Sequence, residues 1–131
     1  MPPSLNTPFY HQLAGLLCDS YQRLLKKPLL VTSSALTNKP LIQSLYDAPF
    51  ALLSHGVEDD PVFNFGNAAA LSLFEYSWDA FIQLPSRLSA KIVDQNERQR
   101  LLMAVNRQGY IDNYTGIRIT ASGREFLIKN A

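Results

Sequence analysis

The chain has 131 residues, of which 47% are hydrophobic and 18% charged, and its formal net charge is +1. That length supports one domain with its own core and excludes two full domains, and the composition excludes a disordered chain. The basic residues are scattered, with Lys26-Lys27 and the later Arg98 and Arg100 as the nearest approach to a cluster, so no concentrated basic face exists for nucleic-acid phosphates and direct nucleic-acid binding is not expected.

Residues 1–8 carry Pro2, Pro3 and Pro8 and are expected to be irregular. From residue 9 to 27, Leu13, Leu16, Leu17, Tyr21, Leu24 and Leu25 recur at spacings of three and four, which predicts an amphipathic helix with those side chains on one face. Lys26 and Lys27 suit the negative end of the helix dipole, and Pro28 stops the helix. Thr32-Ser33-Ser34 reads as loop. Residues 40–46 predict a short helix, with Pro40 in its first turn and Leu41, Ile42 and Leu45 inward. Two strands are predicted next, over 50–54 and 62–65, separated by the turn signal Glu58-Asp59-Asp60-Pro61.

Asn67 is placed to cap a helix over 68–74, and Ser77 one over 78–83. Asp94 and Glu97 form a capping pair for a long helix over 95–108, whose apolar side is Leu101, Leu102 and Val105. Gly109 stands where a left-handed C-terminal cap belongs. A hairpin closes the reading: 110–120, with Ile117 and Ile119 on one face and Arg118 and Thr120 on the other, then the turn Ala121-Ser122-Gly123, then a strand over 124–129.

This order of strand, strand, short helices, long helix and hairpin is the order of a PAS domain. The stretch from Asn67 through Phe74-Glu75-Tyr76-Ser77 resembles the PAS segment in which an asparagine opens a helix that ends in an aromatic-Ser turn, and Arg98-Gln99-Arg100-Leu101-Leu102 resembles the start of the long connecting helix. A closer resemblance is to the MEKHLA domain, a PAS-related domain of cyanobacterial and algal proteins and of plant class III homeodomain-leucine zipper transcription factors. It is carried by Asp19-Ser20-Tyr21-Gln22-Arg23, Ala48-Pro49-Phe50-Ala51-Leu52-Leu53-Ser54-His55-Gly56, Phe63-Asn64-Phe65-Gly66-Asn67, Leu84-Pro85-Ser86-Arg87 and Gly109-Tyr110-Ile111-Asp112-Asn113-Tyr114-Thr115-Gly116-Ile117-Arg118-Ile119, and it spans about residues 13–131.

The resemblance implies an α+β, PAS-like fold: an antiparallel sheet with short helices on one face, a long connecting helix and an N-terminal amphipathic helix. Residues 1–8 would be an irregular N-terminus, 9–48 a helical flank and 49–131 the PAS-like core. A PAS sheet has five strands in the spatial order 2-1-5-4-3, and four are legible here. The missing fifth is the central one, so the core is expected to be C-terminally incomplete. Its absence leaves backbone groups unpaired on the first and fourth strands. The gap would be filled by another segment (Leu29-Leu30-Val31 is the spare β-like stretch), by a second copy, by direct pairing of the two edges, or by the rest of a longer protein.

The residues offer little catalytic chemistry. The two histidines, His11 and His55, are far apart in sequence and have no HxxxH or CxxC companion, so no metal site is expected. Cys18 lies on a mostly apolar helix side and reads as inert packing. It cannot form an internal disulfide, there is no signal-peptide pattern after Met1-Pro2-Pro3-Ser4, and no apolar run reaches the roughly 20 residues of a membrane span, so a cytoplasmic protein is expected. Ser54 and His55 are adjacent, and adjacent strand residues point to opposite faces. Asp59-Asp60 reads as a solvated turn.

Flavin-binding photosensory PAS domains carry an Asn-Cys-Arg phrase where this chain has Pro85-Ser86-Arg87. Serine in place of cysteine removes the thiol adduct, and Arg87 is left either to hold an anion or to pair with an acidic neighbour. If the aromatic core is incomplete, Tyr76, Trp78, Arg87, Tyr110 and Tyr114 line a small-molecule pocket whose ligand or cofactor the sequence does not name. The reading is therefore a sensory or interaction module binding a small ligand or a protein partner, without catalysis. A homodimer is expected, through the N-terminal helix or an exposed sheet edge. The alternatives are a flavin-type sensor, or a small enzyme acting on a hydrophobic ligand with Asp112 and Glu125 as its placeable acids.

Overall fold

A computed structural model describes residues 1–30, 39–90, 95–112, 114–129 and 131. The elements in chain order are α1 (Pro8–Leu25), α2 (Leu41–Tyr46), β1 (Leu53–His55), β2 (Phe63–Gly66), α3 (Ala68–Phe74), α4 (Trp78–Phe81), α5 (Gln95–Gln108), β3 (Gly116–Ile119) and β4 (Glu125–Ile128). Two 3-10 turns, Pro3–Leu5 and Ser86–Ser89, also lie among the described residues. This is an α+β chain. Its strands form two separate two-stranded antiparallel sheets, β1-β2 and β3-β4, rather than the single sheet expected.

The core is aromatic. Phe63 and Phe65 point inward from β2, and Phe63 stacks on Phe81 with ring centroids 4.4 Å apart. Gly66 permits that stack, because a Cβ there would sit 2.7 Å from Phe81 Cε2. Phe74 touches Phe81 on one side and Phe126 of β4 on the other, so one helix residue joins the two sheets. Ile42 and Leu45 of α2 are buried beside them, while Leu41, expected inward, is exposed.

The first residues belong to this core. Leu5, in a segment expected to be irregular, is fully buried. Pro8 occupies the first turn of α1, where its missing N–H has no helical partner to lose. The helix ends on Lys26 in the left-handed region, φ 60°. Tyr10, Leu13, Ala14 and Cys18 form the face that packs inward, and the Tyr10 hydroxyl donates to the Asn64 carbonyl at 2.8 Å. Leu16, expected on the buried face, is 61% exposed, because the stripe in contact with the core runs along the Tyr10–Ala14–Cys18 side.

The strands differ from expectation at their ends. Strand β1 begins at Leu53 rather than residue 50, because the Phe50 carbonyl and the Leu52 backbone are taken by the Asn67 side chain and N–H. Residues 110–115, expected as strand, do not form one among the described residues, and β3 starts at Gly116. Leu29 and Leu30 are not in a strand, and Val31 lies outside the described residues. The Asp94–Glu97 capping pair and the Thr32-Ser33-Ser34 loop also lie outside what is described.

The sheet edges are not equivalent. Phe63 N–H donates to the Leu84 carbonyl at 3.0 Å and Val62 bridges Pro85, which covers the far side of β2. Ala90 bridges Arg118, which covers the far side of β3. One stretch, 84–90, thus links the two sheets into a series that ends on β1 at one side and β4 at the other. Among the described residues, no backbone pairing occupies the second side of β1 or of β4.

Candidate functional site

The five residues expected to line a pocket fall in separate places. Trp78 opens α4 after the Ser77 cap, whose hydroxyl accepts from Ala80 N–H. Its ring is buried against Tyr10 and Phe65, and its indole N–H donates to Ser4 Oγ at 3.1 Å. Tyr76 packs on Phe81, centroids 5.9 Å apart. Arg87 stands on the surface and pairs with Asp60, Nε to Oδ1 at 3.1 Å. Tyr110 is partly buried and its carbonyl accepts from Gln108 Nε2.

Tyr114 lies in a concavity. Arg100, Leu101 and Ala104 of α5 form one wall of a groove of about 350 Å³, and Ile111, Asp112, Tyr114 and Thr115 form the other. Tyr114 extends the β3-β4 ladder by exchanging backbone hydrogen bonds with Ala131 at 3.0 and 3.1 Å. Alternation along the strand then puts Tyr114, Gly116 and Arg118 on one face. That face is the inner one, because Arg118 is paired across the ladder with Phe126, which touches Phe74. The apolar pair Ile117 and Leu127 faces outward and is exposed.

Gly116 makes room for the tyrosine, since a Cβ at this position would meet the Tyr114 hydroxyl. The ring lies along the strand, and the Arg118 guanidinium sits over it, Cζ 5.7 Å from the centroid. That is a cation–π distance. Arg118 Nε is buried and has no hydrogen-bond partner. Sequence reading overlooked this arginine; the signal available was its period-two spacing from Tyr114 and Gly116.

Other chemical groups are accounted for by local bonds. The Ser54 hydroxyl donates to Asn64 Oδ1, and His55 Nδ1 lies 2.7 Å from the Gly56 carbonyl. His11 Nε2 meets Asn6 Oδ1. Burial, with Asp19 alongside, pushes the Cys18 thiol up, away from the reactive thiolate. Asp112 and Glu125 are both exposed. Among the described residues no cluster of three His, Cys, Asp or Glu is placed to hold a metal ion, and no helix is long and apolar enough to cross a membrane.

Comparison with known proteins bears on the same residues. The chain is similar to the Homeobox-leucine zipper protein ATHB-15 of Arabidopsis thaliana, 28% identical over 123 residues, which cover 92% of this chain and 14% of that protein. It therefore spans a small part of the length of that relative. The MEKHLA domain profile matches residues 11–131, a range that holds both sheets, the edge-covering Leu84-Pro85-Ser86-Arg87 phrase and the Tyr114–Arg118 face. With the match running through every strand and nearly all of the aromatic core, this chain belongs to the MEKHLA domain family.

Proposed function

We propose that the chain is a PAS-like sensory and protein-interaction module that does no chemistry of its own. In this reading it associates with a second copy of itself through the open strand edges. The observation that supports it is the unequal cover of the sheets. Stretch 84–90 occupies the far sides of β2 and β3, while among the described residues no backbone pairing occupies the second side of β1 or the outward side of β4 at Leu127. An edge of free N–H and C=O groups is a template for another strand. The N-terminal helix is the weaker route to a dimer, because its inner face already packs on its own chain and leaves Phe9 and Leu16 as its exposed apolar side chains. Occupation of the edges would favour one packing of the two sheets over another, which is how such a module would report a signal.

The test uses the alternation of the ladder. Thr120 N–H bonds the Arg124 carbonyl, so Phe126 and Ile128 bond inward to β3 while Leu127 presents its backbone outward. Leu127→Pro removes an outward donor and spares the hairpin. Sedimentation of the wild type is expected to give twice the chain mass, and Leu127→Pro the single-chain mass. A wild-type monomer across the whole concentration range would overturn the reading.

A further inference from the structure

The two open edges are not equal. Strand β1 is three residues long and its register slips between Ser54 and His55, and a short, bulged edge is a poor template. Strand β4 keeps a regular register with β3 from Glu125 to Ile128. Leu127 lies opposite Ile117 at a position where β3 and β4 exchange no bond, so its N–H and carbonyl point away from the hairpin. Its side chain is on the outer face and 53% exposed. Two residues before it stands Glu125 and two after it, just past the end of β4, stands Lys129, both exposed and of opposite charge. The order acid, leucine, base is its own complement when a second copy is laid antiparallel about Leu127.

We propose that β4 pairs with β4 of a second copy about a two-fold axis at Leu127, joining the two hairpins into one antiparallel sheet. This rests on the strand-edge reading above and adds to it the edge, the direction and the register. In this register the two Leu127 residues exchange both backbone bonds. Glu125 of each copy stands across from Lys129 of the other, an opposite-charge cross-strand pair at each end. Glu125 already has an interaction within its own chain, and an ionised carboxylate has acceptor sites enough to serve a second cation. The exposed Ile117 and Leu127 of one copy continue into Leu127 and Ile117 of the other as a single apolar row across the sheet. Sliding the second copy by two residues sets Leu127 against Glu125 or Lys129 and gives up the charge pairs. Pairing β4 with β1 is heterologous and leaves an open edge at each end of the assembly.

Two single charge reversals in the full chain, followed by sedimentation, test the register. Glu125→Lys sets lysine against lysine at both ends of the pairing, and Lys129→Glu sets glutamate against glutamate. Each is expected to weaken self-association about tenfold or more, since two attractive cross-strand pairs become two repulsive ones. Mixed in equal amounts, the two variants bring opposite charges together at both ends, and the mixture is expected to regain the wild-type dimer. Mixing changes neither chain, so it does not repair a defect of folding. Leu127→Cys in a Cys18→Ser background reads the axis itself. Residues paired by both backbone bonds lie about 5.5 Å apart at Cα, within disulfide reach, and mild oxidation is expected to link the two chains there. A wild-type dimer that neither reversal weakens, a mixture no better than its components, or no link through position 127 would overturn the register while the strand-edge reading stands. A wild-type monomer removes both.

Discussion

Asn67 ties three elements together with one side chain. Its Oδ1 accepts from Leu52 N–H at 2.9 Å and Ala70 N–H at 3.0 Å, and its Nδ2 donates to the carbonyls of Leu45 and Phe50 at 3.1 and 2.7 Å. The residue is fully buried, so no water replaces a lost bond. Replacing a cap by Ala costs about 0.5–2 kcal/mol, and each buried group left unsatisfied adds about 1–3 kcal/mol. Asn67→Ala is therefore expected to lose about 3 kcal/mol or more, read from the midpoint of urea unfolding. Asn67→Asp keeps the acceptor and turns the second oxygen toward two carbonyls, so at neutral pH it is expected to lose more than Ala does. The sequence made the helix cap legible, since Asn before Ala68 is an N-cap signal. It gave no sign of the other three bonds, because they depend on where α2 and the start of β1 lie in space. The same is true of Arg118, whose position in the alternation was readable while the inward sense of that face was fixed only by the Phe126–Phe74 contact.

At the scale of elements, the hairpin is attached to the helices at its turn. Ala121 N–H donates to the Phe74 carbonyl at 3.0 Å. Glu75, the left-handed C-cap of α3 at φ 65°, accepts from Ser122 Oγ at 2.6 Å and from Arg124 Nε and Nη2 at 3.1 and 2.9 Å. The Ser122 and Arg124 bonds hold the Glu75 carboxyl below the ordinary glutamate range. A depressed folded-state pKa means that the unfolded chain binds the proton more tightly. The contribution of Glu75 is thus complete above the unfolded pKa and is lost as pH falls through the lower folded one. Thermal unfolding followed across that acidic window is expected to show the loss in the wild type and a flatter dependence in Glu75→Gln. This latch joins residues nearly fifty positions apart, so local patterns give no hint of it. Helix α5 is the opposite case. Its bounds match the expected 95–108 because a 3.6-residue pattern and a glycine stop at Gly109, φ 84°, are local signals. The residues after it were read as strand for their tyrosine and isoleucine content. Ile111, Asp112, Tyr114 and Thr115 line a groove beside α5 instead, and among the described residues of 110–115 Tyr114 alone exchanges backbone bonds, with Ala131; β-forming side chains make a strand only where a partner backbone continues along the run.

For the molecule as a whole, the boundary of the fold differs from the boundary of the family match. The match begins at residue 11, yet the core begins at Leu5. Leu5 fills space in the same cluster as Phe65 and Trp78, Ser4 accepts the indole N–H, and Tyr10 bonds the β2 backbone through Asn64. A chain cut to residues 11–131 loses all three. Removing one fully buried leucine side chain alone costs about 2–5 kcal/mol, and the indole N–H and Asn64 carbonyl lose their partners as well. The cut chain is therefore expected to unfold at a markedly lower urea concentration than the full one. Trp78 is the single tryptophan of the protein, so its emission reports directly on this corner. It is expected to shift to longer wavelength in the cut chain, as water reaches a ring now only 8% exposed. Leu5→Ala separates packing from hydrogen bonding, because it keeps Ser4 and Tyr10 and opens only the space beside the ring. An intermediate loss of stability with little change in emission is expected there. Unchanged stability and unchanged emission in the cut chain would mean that the N-terminal segment only rests on a core complete without it.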